Sequence, residues 1–143
     1  MKPYPLLFGP SFQERIWGGS KLKKIFHSAD LEGNIGEAWV ISDHPHGKSL
    51  IVNGELAGKA LSDLLDLCPG WFGRSPIRSF PLLVKLLDSR EDLSVQVHPD
   101  DEYASRNEKG ESGKTECWYI MESEPGAEIV FGHQAAKKKN LSN

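Results

Sequence analysis

The stretch LSVQVHPDD, residues 93–101, is the part of the sequence that best indicates the fold. Its apolar residues alternate with Ser94, Gln96 and His98, and this period of two is typical of a β-strand. Because side chains two residues apart point to the same face of a strand, Gln96 and His98 are predicted to share a face. Pro99 cannot donate a ladder hydrogen bond, so the strand is expected to stop there.

Short apolar runs recur along the chain and predict a mainly β fold. Nine prolines and fourteen glycines punctuate these runs, as in a β domain with many turns. The run FPLLVKLL at 80–87 is nearly continuous, which is expected of a strand covered on both faces. The predicted strands lie within residues 5–17, 37–42, 49–52, 80–87, 93–98, 116–121 and 127–131.

Two short helices are predicted to interrupt the strands. Apolar residues at 61, 64, 65 and 68 recur at helical spacing and form one stripe, which Pro69 and Gly70 end. The second helix is expected from about Asp100 to Lys109. Its acidic first turn suits the positive N-terminal end of a helix, and the Lys-Gly step at 109–110 suits its close.

Composition narrows the class of protein. The 143 residues suffice for one domain, and 17 basic against 20 acidic residues argue against nucleic acid as a partner. No apolar stretch approaches the roughly 20 residues that span a bilayer, so no membrane partner is expected. Residues 1–5 lack the apolar core of a signal peptide. Cys68 and Cys117 show no metal-type spacing, which favours reduced thiols in a cytoplasmic protein.

One set of polar residues has the chemistry of a metal site. Gln96 and His98 on one strand, and Glu116 at the start of another apolar run, could aim at one point. Nitrogen and oxygen donors without a thiolate suit a divalent metal ion. Lys114 would share the face of Glu116, and a lysine beside a metal can move protons. The alternative is the hydrated face of a strand with Glu116 and Lys114 at the surface.

A lysine, a tryptophan and three histidines are weaker candidates for functional residues. Lys85 interrupts an apolar run, so it is either a buried cation that meets an anionic ligand or a side chain that reaches the edge of the sheet. Trp17 precedes two glycines and either lines a pocket or belongs to the core before a turn. His44, His46 and His133 are each interpreted as structural or exposed rather than as metal ligands.

These segments together resemble the type I mannose-6-phosphate isomerases (phosphomannose isomerases), particularly the short bacterial form. The resemblance runs from near the N-terminus to about His133. QVHPDD at 96–101 and KTECWY at 114–119, in that order, are its most specific parts. Its other anchors are ERIWGG at 14–19, GEAW at 36–39, SDHPHG at 42–47 and FPLLVK at 80–85.

The resemblance implies a cupin-type jelly roll, a bound zinc ion and a phosphosugar substrate. It implies reversible interconversion of mannose 6-phosphate and fructose 6-phosphate. The zinc ligands of the family fall on Gln96, His98 and Glu116, and its active-site lysine falls on Lys114, the candidate catalytic residue. A phosphate needs cationic partners, so Lys85 is predicted to bind substrate, together with the aromatic ring of Trp17.

The end of the chain departs from the family pattern. The family supplies a further histidine ligand and an essential arginine from later in its chain, and the lysine-rich tail 134–143 does not continue the pattern. We therefore interpret residues 1–133 as the N-terminal portion of an incomplete cupin-type domain, followed by a truncated or frameshifted tail. Two alternatives stay open: a noncatalytic module that binds metal or sugar, and an inactive fragment. The oligomeric state is not predicted.

Overall fold

The computed structural model describes residues 1–73, 79–109 and 111–132, and its backbone divides into two units. The first unit is Met1–Leu93 and the second is Ser94–Asn143. The strands are β1 (Phe8–Gly9), β2 (Ser11–Gly19), β3 (Ile35–Ile41), β4 (Asp43–His44), β5 (Gly47–Lys48), β6 (Leu50–Ile51) and β7 (Val84–Leu87). The helices are α1 (Lys21–Ile25), α2 (Leu61–Leu67) and α3 (Asp101–Asn107), with 3₁₀ turns at Gly54–Leu56 and Pro69–Phe72.

The first unit is built on a three-stranded antiparallel sheet with the order β2-β3-β7. In its register Ala38 of β3 lies opposite Phe12 on one side and Leu86 on the other. β3 is central because its run from 35 to 39 is buried throughout and needs a partner on each edge. Two-stranded pairs β1-β6 and β4-β5 complete the described strands, so the predicted mainly β class is confirmed.

Two apolar clusters stabilise the first unit. One consists of buried residues from β6, the first 3₁₀ turn and α2, which are Ile51, Leu56, Leu61 and Leu64. The other joins α1 to β3 through Leu22, Ile35 and Ala38. Burial of apolar side chains supplies most of the driving force for folding, so these clusters account for the stability of this unit.

Both predicted helices are present, and a third was not anticipated. In α2 the predicted stripe buries Leu61 and Leu64, and Asp63 Oδ2 accepts a hydrogen bond of 2.8 Å from Ala60 N. In α3 the Asp100 side chain caps the first turn by accepting from Tyr103 N at 2.8 Å. The five-residue helix α1 is too short to show a periodic pattern, and its Leu22 packs into the core.

Three strand predictions are wrong. Residues 93–98, 116–121 and 127–131, all within the described part of the chain, are assigned no strand. A strand exists only where its backbone is paired, and alternation in sequence does not supply the partner. Val95 and Val97 are accordingly 64% and 67% exposed.

The strand expected at 80–87 is shorter than predicted and is not covered on both faces. Only Val84–Leu87 pairs, against β3, and Leu82 and Val84 are 62% and 45% exposed. The strand expected within 5–17 is divided into β1 and β2 at Pro10. His133 and the tail 134–143 lie outside the described residues, and closure of a jelly roll stays a prediction.

Candidate functional site

His98 and Glu116, which are eighteen residues apart in sequence, meet in the second unit. His98 Nε2 and Glu116 Oε2 lie 2.8 Å apart, a hydrogen-bond distance. The two side chains are 25% and 21% exposed, so the pair is largely shielded but still accessible to solvent. The pairing anticipated from the sequence between these two residues is therefore present, although neither residue lies on an assigned strand.

Lys114 joins this pair. Its Nζ lies 3.1 Å from Glu116 Oε1 and 3.3 Å from His98 Nε2. The Glu116 carboxylate thus uses one oxygen for the imidazole and the other for the ammonium group. The three side chains form one contiguous polar cluster, which we call the His98–Lys114–Glu116 cluster.

Backbone contacts to the start of α3 fix where Lys114 lies. Lys114 N donates to Pro99 O at 3.0 Å, and Gly113 N donates to Asp101 Oδ1 at 2.9 Å. A Cβ on Gly113 would collide with Asp101 N, at a separation that real Cβ atoms do not show. Glycine at 113 is therefore what allows this loop to approach the helix and to bring Lys114 back to His98.

The electrostatics of the cluster favour an ionised Glu116. Partial burial raises the pKa of this carboxyl group, but hydrogen bonds from His98 and Lys114 and the charge of Lys114 lower it more. The net pKa lies below the ordinary value of a glutamic acid. Glu116 is consequently a carboxylate at neutral pH, which is the form that binds a metal ion or accepts a proton.

Gln96, the third predicted ligand, is exposed, and its side chain is held by a neighbour. Gln96 Nε2 donates to Ser94 Oγ at 3.0 Å, and this orientation leaves the amide oxygen as the atom suited to a metal. In residues 1–73, 79–109 and 111–132 no group of three His, Cys, Asp or Glu side chains could hold a metal ion. A metal at His98 and Glu116 would therefore need a third donor of another kind, such as an amide.

The geometry of the pair is compatible with zinc after a small movement. Two ligand atoms of a tetrahedral zinc ion, each about 2.0–2.1 Å from the metal, lie about 3.3 Å from each other. His98 Nε2 and Glu116 Oε2 are 2.8 Å apart, so they would separate by about half an ångström. One imidazole nitrogen and one carboxylate oxygen are ordinary zinc ligands, and the residues present fit the ion.

The first unit contains a buried carboxylate, Glu37, that the sequence did not predict as a functional residue. Glu37 is 6% exposed and lies at the centre of three side chains. Its Oε2 accepts from Arg15 Nη2 at 2.8 Å and from Trp39 Nε1 at 3.0 Å. Its Oε1 accepts from Lys85 Nζ at 2.9 Å. A glutamate inside the apolar run IGEAWVI was the one available signal.

We call Glu37, Arg15, Trp39 and Lys85 the Glu37 network. In it one carboxylate pairs with two cations, Arg15 and Lys85. Burial raises the pKa of Glu37, while hydrogen bonds from Lys85 and Trp39 and the charges of Lys85 and Arg15 lower it below its ordinary value. Lys85 is 19% exposed and Arg15 is 36% exposed, so both keep some access to solvent. The sequence left two possibilities for Lys85, and the structure shows a largely buried cation whose partner is an internal carboxylate.

Trp17, His44 and His46, three weaker candidates from the sequence, contact neighbouring residues of the first unit. Trp17 is half-buried, its carbonyl accepts from Arg90 N at 2.9 Å, and a Cβ on Gly36 would meet its ring at 2.7 Å. His44 packs edge-on against Trp39 at 5.6 Å and against His46 at 5.0 Å between ring centroids. Both histidines are thus held by local packing. Within the described residues, no helix is long and apolar enough to cross a membrane.

A family model and several known proteins match this chain. Residues 6–122 match the family model for the type I phosphomannose isomerase catalytic domain. The chain is 50% identical over 138 residues to the probable mannose-6-phosphate isomerase GmuF of Bacillus subtilis, covering 96% of this chain and 44% of the relative. It is 45% identical over 137 residues to a mannose-6-phosphate isomerase of Streptococcus mutans, covering 96% of this chain and 43% of that relative.

A solved structure agrees with these sequence relatives. The crystal structure of a mannose 6-phosphate isomerase from Bacillus subtilis superposes with a TM-score of 0.87 at 47% sequence identity. The match covers 96% of this chain and 44% of the other chain. The chain therefore spans less than half the length of the relatives that it matches.

Proposed function

The chain belongs to the type I phosphomannose isomerase family, and on this premise we propose that it supplies part of the active site of a zinc-dependent aldose–ketose isomerase. Its substrates would be mannose 6-phosphate and fructose 6-phosphate. The observation that carries the proposal is the His98–Lys114–Glu116 cluster, because the histidine and the carboxylate meet at 2.8 Å with a lysine against both.

Gln96, His98 and Glu116 would hold the zinc ion. Three protein ligands with a further position for water or substrate are the usual arrangement of catalytic zinc. When bound, zinc acts as a Lewis acid at oxygens on which negative charge develops. For His98 to bind through Nε2, that nitrogen must be unprotonated, so the ring proton would lie on Nδ1.

The reaction moves protons between neighbouring atoms of the open-chain sugar. In the direction from mannose 6-phosphate, the C–H bond at C2 breaks and a proton is delivered to C1. A second proton leaves the oxygen on C2 and another reaches the oxygen on C1, so aldehyde becomes alcohol and alcohol becomes ketone. Lys114 Nζ would donate to these sugar oxygens, since it is 45% exposed while it contacts both ligand residues.

Substrate binding is proposed for Lys85 and Trp17. Glu37 and two cations carry a net positive charge, and the network keeps Lys85 and Arg15 charged close to one point. A phosphate group would be attracted to that charge. The half-buried ring of Trp17 would offer an apolar surface to the carbon side of a sugar.

Zinc content and turnover measured on the same preparations test the proposal. The reaction would be followed by ³¹P NMR of mannose 6-phosphate and fructose 6-phosphate, with the chain supplied together with the part of a relative that it does not match. We expect His98→Ala and Glu116→Gln to lower zinc affinity by at least about tenfold and to lower turnover with it. His46→Ala is the matched control, since His46 is exposed and its ring packs against His44, away from the proposed ligands in sequence.

Two results would contradict the proposal in different ways. Zinc affinity that is the same in the unsubstituted chain and both variants would remove His98 and Glu116 as ligands. Zinc bound as expected, but without turnover of either sugar phosphate by the reconstituted protein, would remove the isomerase activity and leave a metal-binding site.

A further inference from the structure

Strand β2 bulges out of the sheet between Glu14 and Gly19. Both residues lie opposite Ile35 in the register with β3, so residues 15–18 lie between two positions that share one partner. A β-bulge usually adds one residue, and bulges beside functional sites turn a side chain in a new direction. Four added residues exceed what the ladder alone can hold, so the conformation of this segment, which we call the 15–18 bulge, depends on other contacts.

The bulge carries two side chains to the backbone beside Glu37. Arg15 Nη2 donates to Glu37 Oε2 at 2.8 Å. A Cβ on Gly36 would meet the side chains of both Arg15 and Trp17, so both pack against this glycine. Ile16, which lies between them in sequence, is 93% exposed. The bulge therefore brings a cation and an aromatic ring to one place next to the Glu37 network.

Asp88, which directly follows β7, ties the far end of the bulge to the sheet. Its N–H donates to Gly36 O at 2.9 Å, and its carbonyl accepts from Gly19 N at 3.0 Å. Its carboxylate accepts from Lys21 N at 2.6 Å, in the first turn of α1, where a helix leaves its N–H groups without intrahelical partners. One residue thus joins β3, the end of β2 and the start of α1.

The segment after Asp88 holds the backbone of the bulge itself. Trp17 O accepts from Arg90 N at 2.9 Å. Gly18 pairs with Ser89 in an isolated antiparallel bridge. Because this segment begins at Asp88, the position of the tryptophan backbone depends on where Asp88 is anchored.

We infer that Asp88 is a positioning residue for substrate binding, because it fixes the bulge that presents the ring of Trp17 and the guanidinium group of Arg15. It acts through these two side chains. The role in substrate binding rests on the proposed function, whereas the effect of Asp88 on the ring is a property of the folded chain. A ring that is held in place before binding lowers the cost of ordering it when a ligand binds.

Fluorine NMR of the full chain labelled with 5-fluorotryptophan tests the positioning without substrate or metal. The variant Trp17→Phe assigns the resonance of Trp17. We expect Asp88→Ala to shift or broaden that resonance, because Lys21 N loses its acceptor and the bulge is released. Asp88→Asn keeps an acceptor oxygen in the same place, so its Trp17 resonance should stay close to that of the unsubstituted chain.

The effect on substrate binding is measured by turnover of the reconstituted protein at equal zinc content. We expect Asp88→Ala to raise KM for mannose 6-phosphate by about tenfold and to change kcat by less than about threefold, since the proposed zinc ligands are untouched. In a chain that already carries Trp17→Ala, the same substitution should raise KM by less than about threefold, because the ring that Asp88 positions is gone.

The matched control is Asp63→Ala. Asp63 Oδ2 also accepts from a backbone N–H of the first unit, that of Ala60 at 2.8 Å, but it lies at the start of α2 and makes this contact outside the bulge. We expect Asp63→Ala to lower the free energy of unfolding. The Trp17 resonance and KM should stay as in the unsubstituted chain.

A second variant displaces the Asp88 carboxylate without removing it. A Cβ on Gly19 would collide with this carboxylate, so Gly19→Ala should push it away from the start of α1. We expect the Trp17 resonance and KM to change in the same direction as in Asp88→Ala. This variant also decides the question if Asp88→Ala does not fold.

Three results would overturn the inference. The first is a Trp17 resonance that is the same in Asp88→Ala and in the unsubstituted chain. The second is an unchanged KM in Asp88→Ala alongside a shifted resonance. The third is an equal rise of KM in Asp88→Ala and Asp63→Ala, because a general loss of stability would then explain it.

Failure of the proposed function gives a different result. In that case the unsubstituted reconstituted protein would turn over neither sugar phosphate. The role of Asp88 in substrate binding would fall with it, and the Trp17 resonance would still decide whether Asp88 positions the ring.

Discussion

The first and second units contain similar apolar runs, but among the described residues the first unit buries much of its own while those of the second unit lie exposed. In Met1–Leu93 the runs pair into a sheet and form two clusters around Leu64 and Ala38. In the second unit the runs at 118–121 and 129–131 lie exposed, and no strand is assigned between 94 and 109 or between 111 and 132. An alternating apolar pattern therefore indicates that a segment can form a strand. The strand forms only where another segment pairs with it.

Each unit contains one of the two polar clusters described above, and the two are held differently. The candidate metal ligands lie in the second unit, where a short loop anchored to α3 brings Lys114 and Glu116 to His98. In the first unit a polar network around Glu37 lies on the sheet itself. A preorganised ion-pair network and a loop-borne ligand cluster should respond differently to substitution, and the following experiments compare them.

Loss of the Glu116 carboxylate should have the largest effect. Glu116→Gln keeps the size of the side chain but removes the negative charge that pairs with Lys114 and that, under the proposal, would bind the zinc ion. We expect turnover of the reconstituted isomerase to fall by about 10³-fold, or about 4 kcal/mol in transition-state free energy. Urea unfolding should change little, because Glu116 lies outside the two buried apolar clusters. A fall in turnover of less than tenfold would contradict a role in the site.

A cavity in the first unit should affect stability and leave the ligand cluster intact. Leu64 is 1% exposed in the cluster between α2 and β6, and Leu64→Ala should lower the free energy of unfolding by about 3 kcal/mol. The measurement is urea unfolding followed by far-UV circular dichroism. Phe131→Ser is the comparison, since Phe131 is 98% exposed and its loss should leave the unfolding of the chain unchanged. Equal destabilisation by both substitutions would contradict the contrast between the units.

Removing the Glu37 charge should destabilise the first unit by a smaller amount. Glu37→Gln leaves Lys85 and Arg15 close together without their shared anion, at a cost of about 2 kcal/mol, since both cations are partly hydrated. The variant should also lose the part of the pH dependence of the unfolding free energy that comes from Glu37. A variant as stable as the unsubstituted chain at pH 7 would show that the network contributes nothing net.

The sign of that pH dependence follows from the lowered pKa of Glu37. The folded-state pKa lies below the unfolded value of about 4.3, so the network contributes fully above that pH and its contribution is lost as pH falls through the folded pKa. The difference in unfolding free energy between the unsubstituted chain and Glu37→Gln should be constant near neutrality and should shrink below about pH 4. A difference that grows on acidification would contradict the assignment.

The smallest change tests the loop that positions Lys114. Gly113→Ala adds one methyl group, which would collide with the backbone of Asp101 and force the loop away from α3. We expect zinc affinity and turnover to fall by about tenfold, with little change in the unfolding of the first unit. Gly126→Ala is a useful control for added bulk, because its Cβ would meet nothing within 4 Å, although its φ of +85° makes alanine strained there. Retained zinc affinity in Gly113→Ala would show that the close approach is not needed.

The sequence predicted two helices, because the signals that form them lie within the helices themselves. The stripe at 61–68 and the acidic start of the helix after Pro99 predicted α2 and α3, because periodicity and capping act within one turn. It also predicted that His98 and Glu116 could converge. The alternating pattern indicates adjacent strands as the cause, whereas the structure brings the two residues together through a loop held by Gly113.

Features that depend on distant pairing could not be predicted in the same way. The Glu37 network requires the register that places Trp39 opposite Lys85, and no local pattern specifies that register. The strands expected at 93–98, 116–121 and 127–131 were wrong for the same reason, since their partners are not set by their own sequence. The orientation of the Gln96 amide towards Ser94 likewise depends on a neighbour and not on alternation.

The central claim is that a metal ion in this protein is held by nitrogen and oxygen atoms of the second unit. Zinc K-edge X-ray absorption on the zinc-loaded chain measures those ligands directly, and the exposed Cys117 next to Glu116 offers a competing thiolate. The account predicts only nitrogen and oxygen ligands at about 2.0–2.1 Å, with imidazole scattering that disappears in His98→Ala and persists in Cys117→Ser. A sulfur ligand at about 2.3 Å, or imidazole scattering unchanged in His98→Ala, would contradict it.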